Sequence, residues 1–269
     1  MALLVLHFFI KDSSFESSLW FYVFPLPVII VVILCLSVFA FNFRKYNLKL
    51  ASVLMLLWLG RSFRVNFFSE EKDSDLEVVF WNASRENDFN NAIDINGGVP
   101  DVLVLTESID LDFEELKETY FYKAKRELRV FSKFPIIIKQ DTTSNFKTSI
   151  VNFETASVNF YAVDVSGSTD VPRFWEIGFL DKIIKKEENT VVLGDFNVPY
   201  ESILLKQIKE NYVHFFSRKG NGFRETWFLG MPLLSLDQIW VSRDLEIIKS
   251  EKVSTSKSDH SMIKTIIRK

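Results

Sequence analysis

The chain of 269 residues contains one cysteine, Cys35, which lies within an apolar segment. A single cysteine argues against an intrachain disulfide framework, a cysteine-based metal site and a cysteine nucleophile. The sequence also lacks internal repeats and low-complexity linkers. Functional residues must therefore be sought among the other polar side chains.

The sequence has no excess of cationic residues. Its formal net charge is −3, and the part from Arg61 onwards carries 28 Lys/Arg against 33 Asp/Glu, a net charge of −5. Tight, sequence-independent binding of nucleic acid draws most of its affinity from cationic contacts to phosphates. The balance of charge argues against that class of protein, although it leaves room for a local basic patch.

Charge is missing altogether from residues 19–41, LWFYVFPLPVIIVVILCLSVFAF. This run exceeds the ~20 residues needed to cross a bilayer core, so it predicts a transmembrane helix. Pro25 and Pro27 lie near its start, where missing backbone donors cost least. Two weaker apolar runs predict a second span at residues 50–66 and a partial span at residues 2–10. The alternative for both is a helix at the membrane surface.

The loop after the long span carries Arg44, Lys45 and Lys49 and no acidic residue, which places it in the cytoplasm by the positive-inside rule. If residues 50–66 cross back, the rest of the chain is extracytoplasmic, the arrangement that we favour. If residues 50–66 lie on the membrane surface instead, the rest of the chain is cytoplasmic. Because no small-residue cleavage pattern follows the long run, we expect the anchor to be retained and the protein to be localised to a membrane.

The pattern changes at Leu76 to short runs rich in Val, Ile and Phe, separated by polar turns. We interpret residues 1–68 as a membrane anchor, 69–75 as a solvated linker and 76–269 as a catalytic α/β domain. Some predicted strands follow one another directly, as in a hairpin, whereas others are separated by a predicted helix. This mixture disfavours a purely parallel sheet. The predicted strands are 76–84, 101–108, 128–137, 148–154, 156–166, 190–199, 236–242 and 262–269, and the predicted helices are 112–119, 173–188 and 200–211.

Polar side chains lie at the ends of several predicted strands. Any one of them is best explained as a turn former. Together they suggest an active site assembled at one edge of a sheet. In VVLGDFNVP, Gly194 would let the chain turn tightly. Asp195 and Asn197 follow it two residues apart, a spacing that could direct both side chains at one centre. The residues are Asn82, Glu107, Asp195, Asn197, Asp237, Asp259 and His260.

Six ordered segments resemble motifs of the endonuclease/exonuclease/phosphatase superfamily, whose fold is DNase I-like. The segments are FWNAS, DVLVLTES, SKFPI, GDFN, TWFLGMPLLSLDQIWVS and SDH. The resemblance covers residues from 76 to the C-terminus. It implies a four-layer α/β sandwich, with two mixed β-sheets flanked by helices. It also implies hydrolysis of a phosphodiester or phosphomonoester by in-line attack of an activated water.

The resemblance assigns a role to each polar residue. Mg²⁺, or Mn²⁺ in its place, suits oxygen ligands. Asp195 would accept a proton from the attacking water, and Asn197 would hold that water or a phosphate oxygen. His260 would donate to a phosphate oxygen, with Asp237 orienting its imidazole. The implied metal ligands are Glu107, Asn82 and Asp259.

Two positions depart from the family pattern. Asp164 occupies a substrate-binding position where many members have histidine and others tyrosine, and it could donate to phosphate only if a raised pKa kept it protonated. Gln238 follows Asp237, where histidine is frequent. Asp164, together with the short catalytic region, motivates the alternative of a catalytically silent binding module at the membrane. The sequence leaves the substrate open among a lipid head group, an inositol phosphate and nucleic acid.

Overall fold

Two six-stranded β-sheets form the centre of the structure, a computed structural model that describes residues 1–109 and 120–269. A third, two-stranded sheet joins the N-terminal segment to the rest. The strands are β1 (Phe63–Arg64), β2 (Leu76–Asn82), β3 (Val102–Thr106), β4 (Phe121–Lys125), β5 (Leu128–Ser132), β6 (Ile137–Thr143), β7 (Ser149–Thr155), β8 (Val158–Asp164), β9 (Thr190–Asp195), β10 (Tyr212–His214), β11 (Gly222–Phe223), β12 (Asp237–Ser242), β13 (Glu246–Val253) and β14 (Met262–Arg268).

The helices include those predicted near residues 173–188 and 200–211, both shorter than expected. The helix predicted for residues 112–119 lies outside the described residues. The helices are α1 (Ala2–Val5), a π-helical turn (Leu6–Ile10), α2 (Phe15–Val23), α3 (Leu26–Phe39), a 3₁₀ turn (Phe41–Phe43), α4 (Arg44–Ser62), α5 (Phe89–Asn96), α6 (Arg173–Ile183), α7 (Lys206–Asn211) and α8 (Phe215–Lys219).

Both large sheets are mixed. The first sheet has the strand order β13-β14-β2-β3-β5-β4, and the second has the order β10-β12-β9-β8-β7-β6. Each contains one parallel pair near its middle, β2 with β3 and β8 with β9, and the other neighbours are antiparallel. The carboxyl ends of two parallel strands meet at one edge of a sheet, so each sheet has one such edge.

The two sheets pack face to face around a shared apolar core. Along β2, Val78 and Phe80 point into this core, whereas Val79 and Trp81 point to the outer face. This alternation follows from the two-residue repeat of a strand. Both faces are buried, which explains why the inner strands read as nearly continuous apolar runs.

Helices cover the outer faces of both sheets. α6 and α7 pack on the second sheet through side chains such as Ile177 and Ile208, and α5 packs on the first through Phe89 and Ala92. The order of layers is therefore helix, sheet, sheet, helix, as the family resemblance implies.

The predicted continuous helix over residues 19–41 is wrong. α2 ends at Val23, α3 begins at Leu26, and their axes are bent by 66°. The break lies at Pro25. A proline ring disfavours a helical conformation for the residue before it, so a continuous helix is interrupted at this position. In the described parts of the chain, none of the helices alone has both the length and the apolar character to cross a bilayer. α2 and α3 meet those criteria only as a bent pair.

The other two predicted membrane segments also differ from the observed helices. The predicted second span, residues 50–66, overlaps α4, which begins earlier at Arg44 and ends at Ser62. The predicted partial span, residues 2–10, is α1 followed by the π-helical turn. α3 and α4 pack against each other through a separate apolar cluster that includes Ile29 and Leu54.

The N-terminal helices are attached to the sandwich at defined points. The buried carboxylate of Asp12 accepts hydrogen bonds from the Ser202 hydroxyl and, at 3.0 Å, from the backbone N–H of Ile203. β1 pairs with β11. Residues 69–75, predicted as a linker, contact the sandwich through an ion pair of 2.7 Å between Asp75 and Arg268.

Candidate active site

The parallel pair of each sheet ends in polar residues. In the first sheet Asn82 ends β2 opposite Thr106 of β3, and Glu107 follows directly. In the second sheet Asp164 and Asp195 end β8 and β9 side by side. Asn82 Nδ2 donates to Asp195 Oδ2 at 3.1 Å, so the two polar edges meet across the sandwich.

Asp237 and His260 form a buried pair beside this contact. Asp237 begins β12 directly opposite Asp195 in the antiparallel register. His260 Nδ1 lies 2.8 Å from Asp237 Oδ2 and 3.0 Å from Oδ1. Burial alone would lower the pKa of His260, but Asp237, followed by Asp195 and Asp259, outweighs burial and raises that pKa to about 10. The imidazole is therefore cationic at neutral pH.

Asp195 lies at the centre of the cluster and is almost fully buried. Burial raises its pKa to about 6, and repulsion from Asp237 adds to this shift. The side-chain donor atoms of Asp195, Asp237 and His260 all lie within 4.8 Å of one another. A carboxylate with such a pKa can accept a proton near neutral pH.

Asn197 is held by the backbone around it. Its N–H donates to Asp195 Oδ1 at 2.9 Å, and its side-chain Nδ2 donates to the Val165 carbonyl at 2.8 Å. Its φ of +49° lies in the left-handed region, which asparagine adopts more readily than most residues. Asn197 and His260 line the same cleft.

Glu107 also has a left-handed backbone, with φ of +51°, immediately after β3. Its side chain is 23% exposed and forms an ion pair of 2.9 Å with Arg85. Burial raises the pKa of Glu107, against the opposing effect of Arg85. Glu107 is thus a partly accessible carboxylate at the edge where Asn82 lies.

The structure places the other two predicted residues in different settings. Asp259 accepts from the Ser84 hydroxyl at 2.7 Å and from Trp227 Nε1 at 2.8 Å, one bond to each oxygen. Asp164 has a pKa raised well above its usual value, first by burial and then by Asp195 and Glu107. This shift is the condition under which Asp164 could donate a hydrogen bond to phosphate.

The donor set fits a hard divalent cation. Glu107, Asp195 and Asn82 offer oxygens, and the carboxylates of Asp195 and Glu107 both raise the pKa of the neighbouring Asp164. This effect indicates a local excess of negative charge. A small cation with oxygen ligands would relieve it.

Gln238, the second departure from the family pattern, has a packing role. Its Nε2 donates to the carbonyls of Val198 and Ser235, both at 3.0 Å, and its Oε1 accepts from Trp240 Nε1 at 3.0 Å. These bonds fix the segment after Asn197 against β12. Gln238 is buried and turned away from the cleft lining.

Sequence reasoning missed two arginines. Arg173 lines the cleft and donates to the carbonyls of Asn197 at 3.2 Å and Ser168 at 2.6 Å. Arg85 neutralises Glu107. Neither lies in a recognisable motif. Arg85 lies in the turn after β2 and Arg173 begins α6, so their positions at the site depend on the packed fold.

Comparisons with known proteins identify the family and the fold. A model of the Endonuclease/Exonuclease/phosphatase family matches residues 80–260. The chain belongs to this family. Every residue of the site from Asn82 to His260 lies within the matched range. Among curated proteins, no match was found.

Solved structures show the same fold at low sequence identity. An endonuclease/exonuclease/phosphatase from Bacteroides vulgatus has a TM-score of 0.54 at 15% identity, covering 72% of this chain and 98% of that one. Truncated Caenorhabditis elegans TDP2 has a TM-score of 0.52 at 16% identity, with coverage of 72% and 98%. D. rerio TDP2 complexed with single-strand DNA product has a TM-score of 0.53 at 13% identity, with coverage of 73% and 100%.

Proposed function

We propose that the protein is a membrane-attached phosphoesterase that uses a divalent metal ion and water to hydrolyse a phosphodiester or phosphomonoester. The observation that carries the proposal is the hydrogen bond from Asn82 to Asp195, which joins the polar edges of the two sheets beside the buried pair of His260 and Asp237. The residues that we propose as metal ligands, proton acceptor and cationic donor thereby lie at one end of the sandwich.

The metal would be Mg²⁺ or Mn²⁺, and its charge would stabilise the phosphate anion and the departing oxygen. Glu107 and Asn82 are the residues proposed to hold it. Asp259 accepts one hydrogen bond on each oxygen, from Ser84 and Trp227, and each oxygen keeps a lone pair with which it could join them.

The protein's own residues would move the protons. Asp195 accepts one from the attacking water, for which a pKa of about 6 is suitable. Asn197 orients that water or a phosphate oxygen. Asp237 binds His260 Nδ1 and thereby keeps the imidazole cationic and in position. His260 Nε2 then donates to a phosphate oxygen. Water oxygen bonds to phosphorus, one P–O ester bond breaks, and the alcohol leaves with a proton.

Membrane attachment is supported by the N-terminal helices. Large apolar side chains are exposed there, among them Trp20 at 58%, Val31 at 57% and Phe39 at 80%. Exposed apolar surface of this extent is typical of an interaction site, and we propose that the bent pair α2–α3 contacts a bilayer there.

A metal-dependent activity screen tests the proposal. The purified full-length protein in detergent should hydrolyse bis(p-nitrophenyl) phosphate with Mg²⁺ or Mn²⁺ and lose this activity in EDTA. His260→Ala should lower turnover by about 10² to 10³, the cost of removing one positioned donor. A folded wild-type protein with no activity on this ester, on phospholipids, on inositol phosphates or on DNA would favour the silent binding module.

A further inference from the structure

The active-site cleft is built partly from the N-terminal helices. It has a volume of about 470 Å³ and contains Asn197 and His260. One wall comes from the end of α2 and the start of α3, through Tyr22, Val23 and Val28. The N-terminal segment is therefore a structural part of the cleft.

Further apolar side chains line the cleft. Leu233, Leu234 and Leu236 come from the segment before β12, and Trp227 lies with its ring centroid 6.5 Å from that of His260. Among the described lining residues, Arg173 is the one cation besides His260. A polynucleotide would meet few cations here, whereas an alkyl chain would meet apolar side chains from both segments.

The apolar surface continues from the cleft along α3. Val28 lies at the cleft, and Val31 and Val38 of the same helix are exposed by 57% and 60%. Consider a ligand whose phosphate lies at His260 and whose chain follows α3. Its chain would extend from the polar site to the proposed bilayer surface along apolar side chains.

We infer that the substrate is a membrane phospholipid, whose phosphodiester lies at Asn197 and His260 while an acyl chain lies between the α2–α3 bend and the leucines before β12. The inference rests on the proposed phosphoesterase function and names its substrate class. The bend at Pro25 is then part of the binding site, because it places Val23 and Val28 on the same wall. Water attacks phosphorus and one P–O ester bond breaks, which yields an alcohol and a phosphomonoester.

The test compares chain lengths in one assay. Full-length protein in mixed detergent micelles is given dihexanoyl and dioleoyl phospholipids with the same head group, choline in one series and inositol in another. The double variant Val23→Ser with Val28→Ser removes apolar surface from the cleft wall. The matched control, Val53→Ser with Val65→Ser, removes the same groups from exposed positions that lie neither on α3 nor in the cleft.

The inference predicts that wild type and control prefer the dioleoyl lipid, and that the ratio of dioleoyl to dihexanoyl turnover falls about tenfold or more in the cleft variant. Equal ratios in the cleft variant and the control would overturn it, as would preferred hydrolysis of a single-stranded oligodeoxynucleotide. If either result occurs while metal-dependent hydrolysis of bis(p-nitrophenyl) phosphate continues, the phospholipid inference fails but the proposed phosphoesterase function is retained. Loss of every ester activity in wild type refutes both.

Discussion

Asp195→Asn is expected to lower metal-dependent turnover about 10³-fold or more while the protein stays folded, because an amide cannot accept the proton of the attacking water. Asp195 is 1% exposed, so a substitution of the same shape is needed to separate chemistry from packing. Turnover of bis(p-nitrophenyl) phosphate measures the effect.

The effect on stability should be small because two contributions oppose each other. The ionised Asp195 is disfavoured by burial and by Asp237, as its raised pKa indicates, and the amide removes this cost at neutral pH. The amide also loses one of the two hydrogen bonds that Asp195 accepts, from Asn82 and Asn197. We expect a net change within about 1 kcal/mol, or about 2–4 °C in the unfolding midpoint.

Asp181→Asn is the matched control. Asp181 lies on α6, and burial raises its pKa to about 6 as well, but it lies in a different pocket, beside Ile177 and Tyr212. Its substitution should leave turnover at the wild-type level. Wild-type rates in folded Asp195→Asn would refute the role of Asp195 as proton acceptor.

Gly194→Ala is expected to have the largest effect on folding. Gly194 has a φ of +150°, and a Cβ atom there would overlap the carbonyl oxygen of Val163 and lie 2.7 Å from its Cγ2. Val163 is its register partner on β8, so relief requires β8 and β9 to separate beside Asp164 and Asp195. We expect a loss of about 4 kcal/mol or more, or failure to fold.

Gly178→Ala provides the comparison. Gly178 is a helical glycine in α6 with no atom within 4 Å of the added Cβ, so alanine should be neutral or stabilising by up to about 1 kcal/mol. Thermal unfolding monitored by circular dichroism measures both variants. Equal stability of Gly194→Ala and wild type would show that β8 and β9 do not approach this closely.

Gly194 also shows a limit of sequence reasoning. The motif GDFN predicted a tight turn at this glycine, but Gly194 lies within β9. The residue is required by the close approach of β8, a strand that lies far from it in sequence. A local pattern cannot distinguish a turn from such a contact.

All eight inner strands of the two large sheets were predicted, and the edge strands β4, β6 and β13 were missed. The inner strands are buried on both faces and therefore read as apolar runs. The edge strands β4 and β13 carry lysines, β6 is largely exposed and β10 has three residues. Charge and shortness protect an edge from pairing with another chain, and they also remove the apolar signal.

The site residues likewise divide into those that the sequence predicted and those that it did not. Asn82, Glu107 and Asp195 were found because each follows an apolar strand in a motif. Arg85 and Arg173 were not, since their contacts depend on loops placed by distant packing. The bend between α2 and α3 was also missed, because the hydropathy of residues 19–41 is continuous while the backbone at Pro25 is not.

The proposed function requires one metal-dependent centre that includes Glu107. A Mg²⁺ titration of bis(p-nitrophenyl) phosphate hydrolysis, by wild type and by Glu107→Gln, tests this centre most directly. We expect saturable activation of the wild type and a need for about tenfold or more Mg²⁺ in the variant, because a ligand charge is lost. Turnover that persists in EDTA, or identical titration curves for the two proteins, would contradict it.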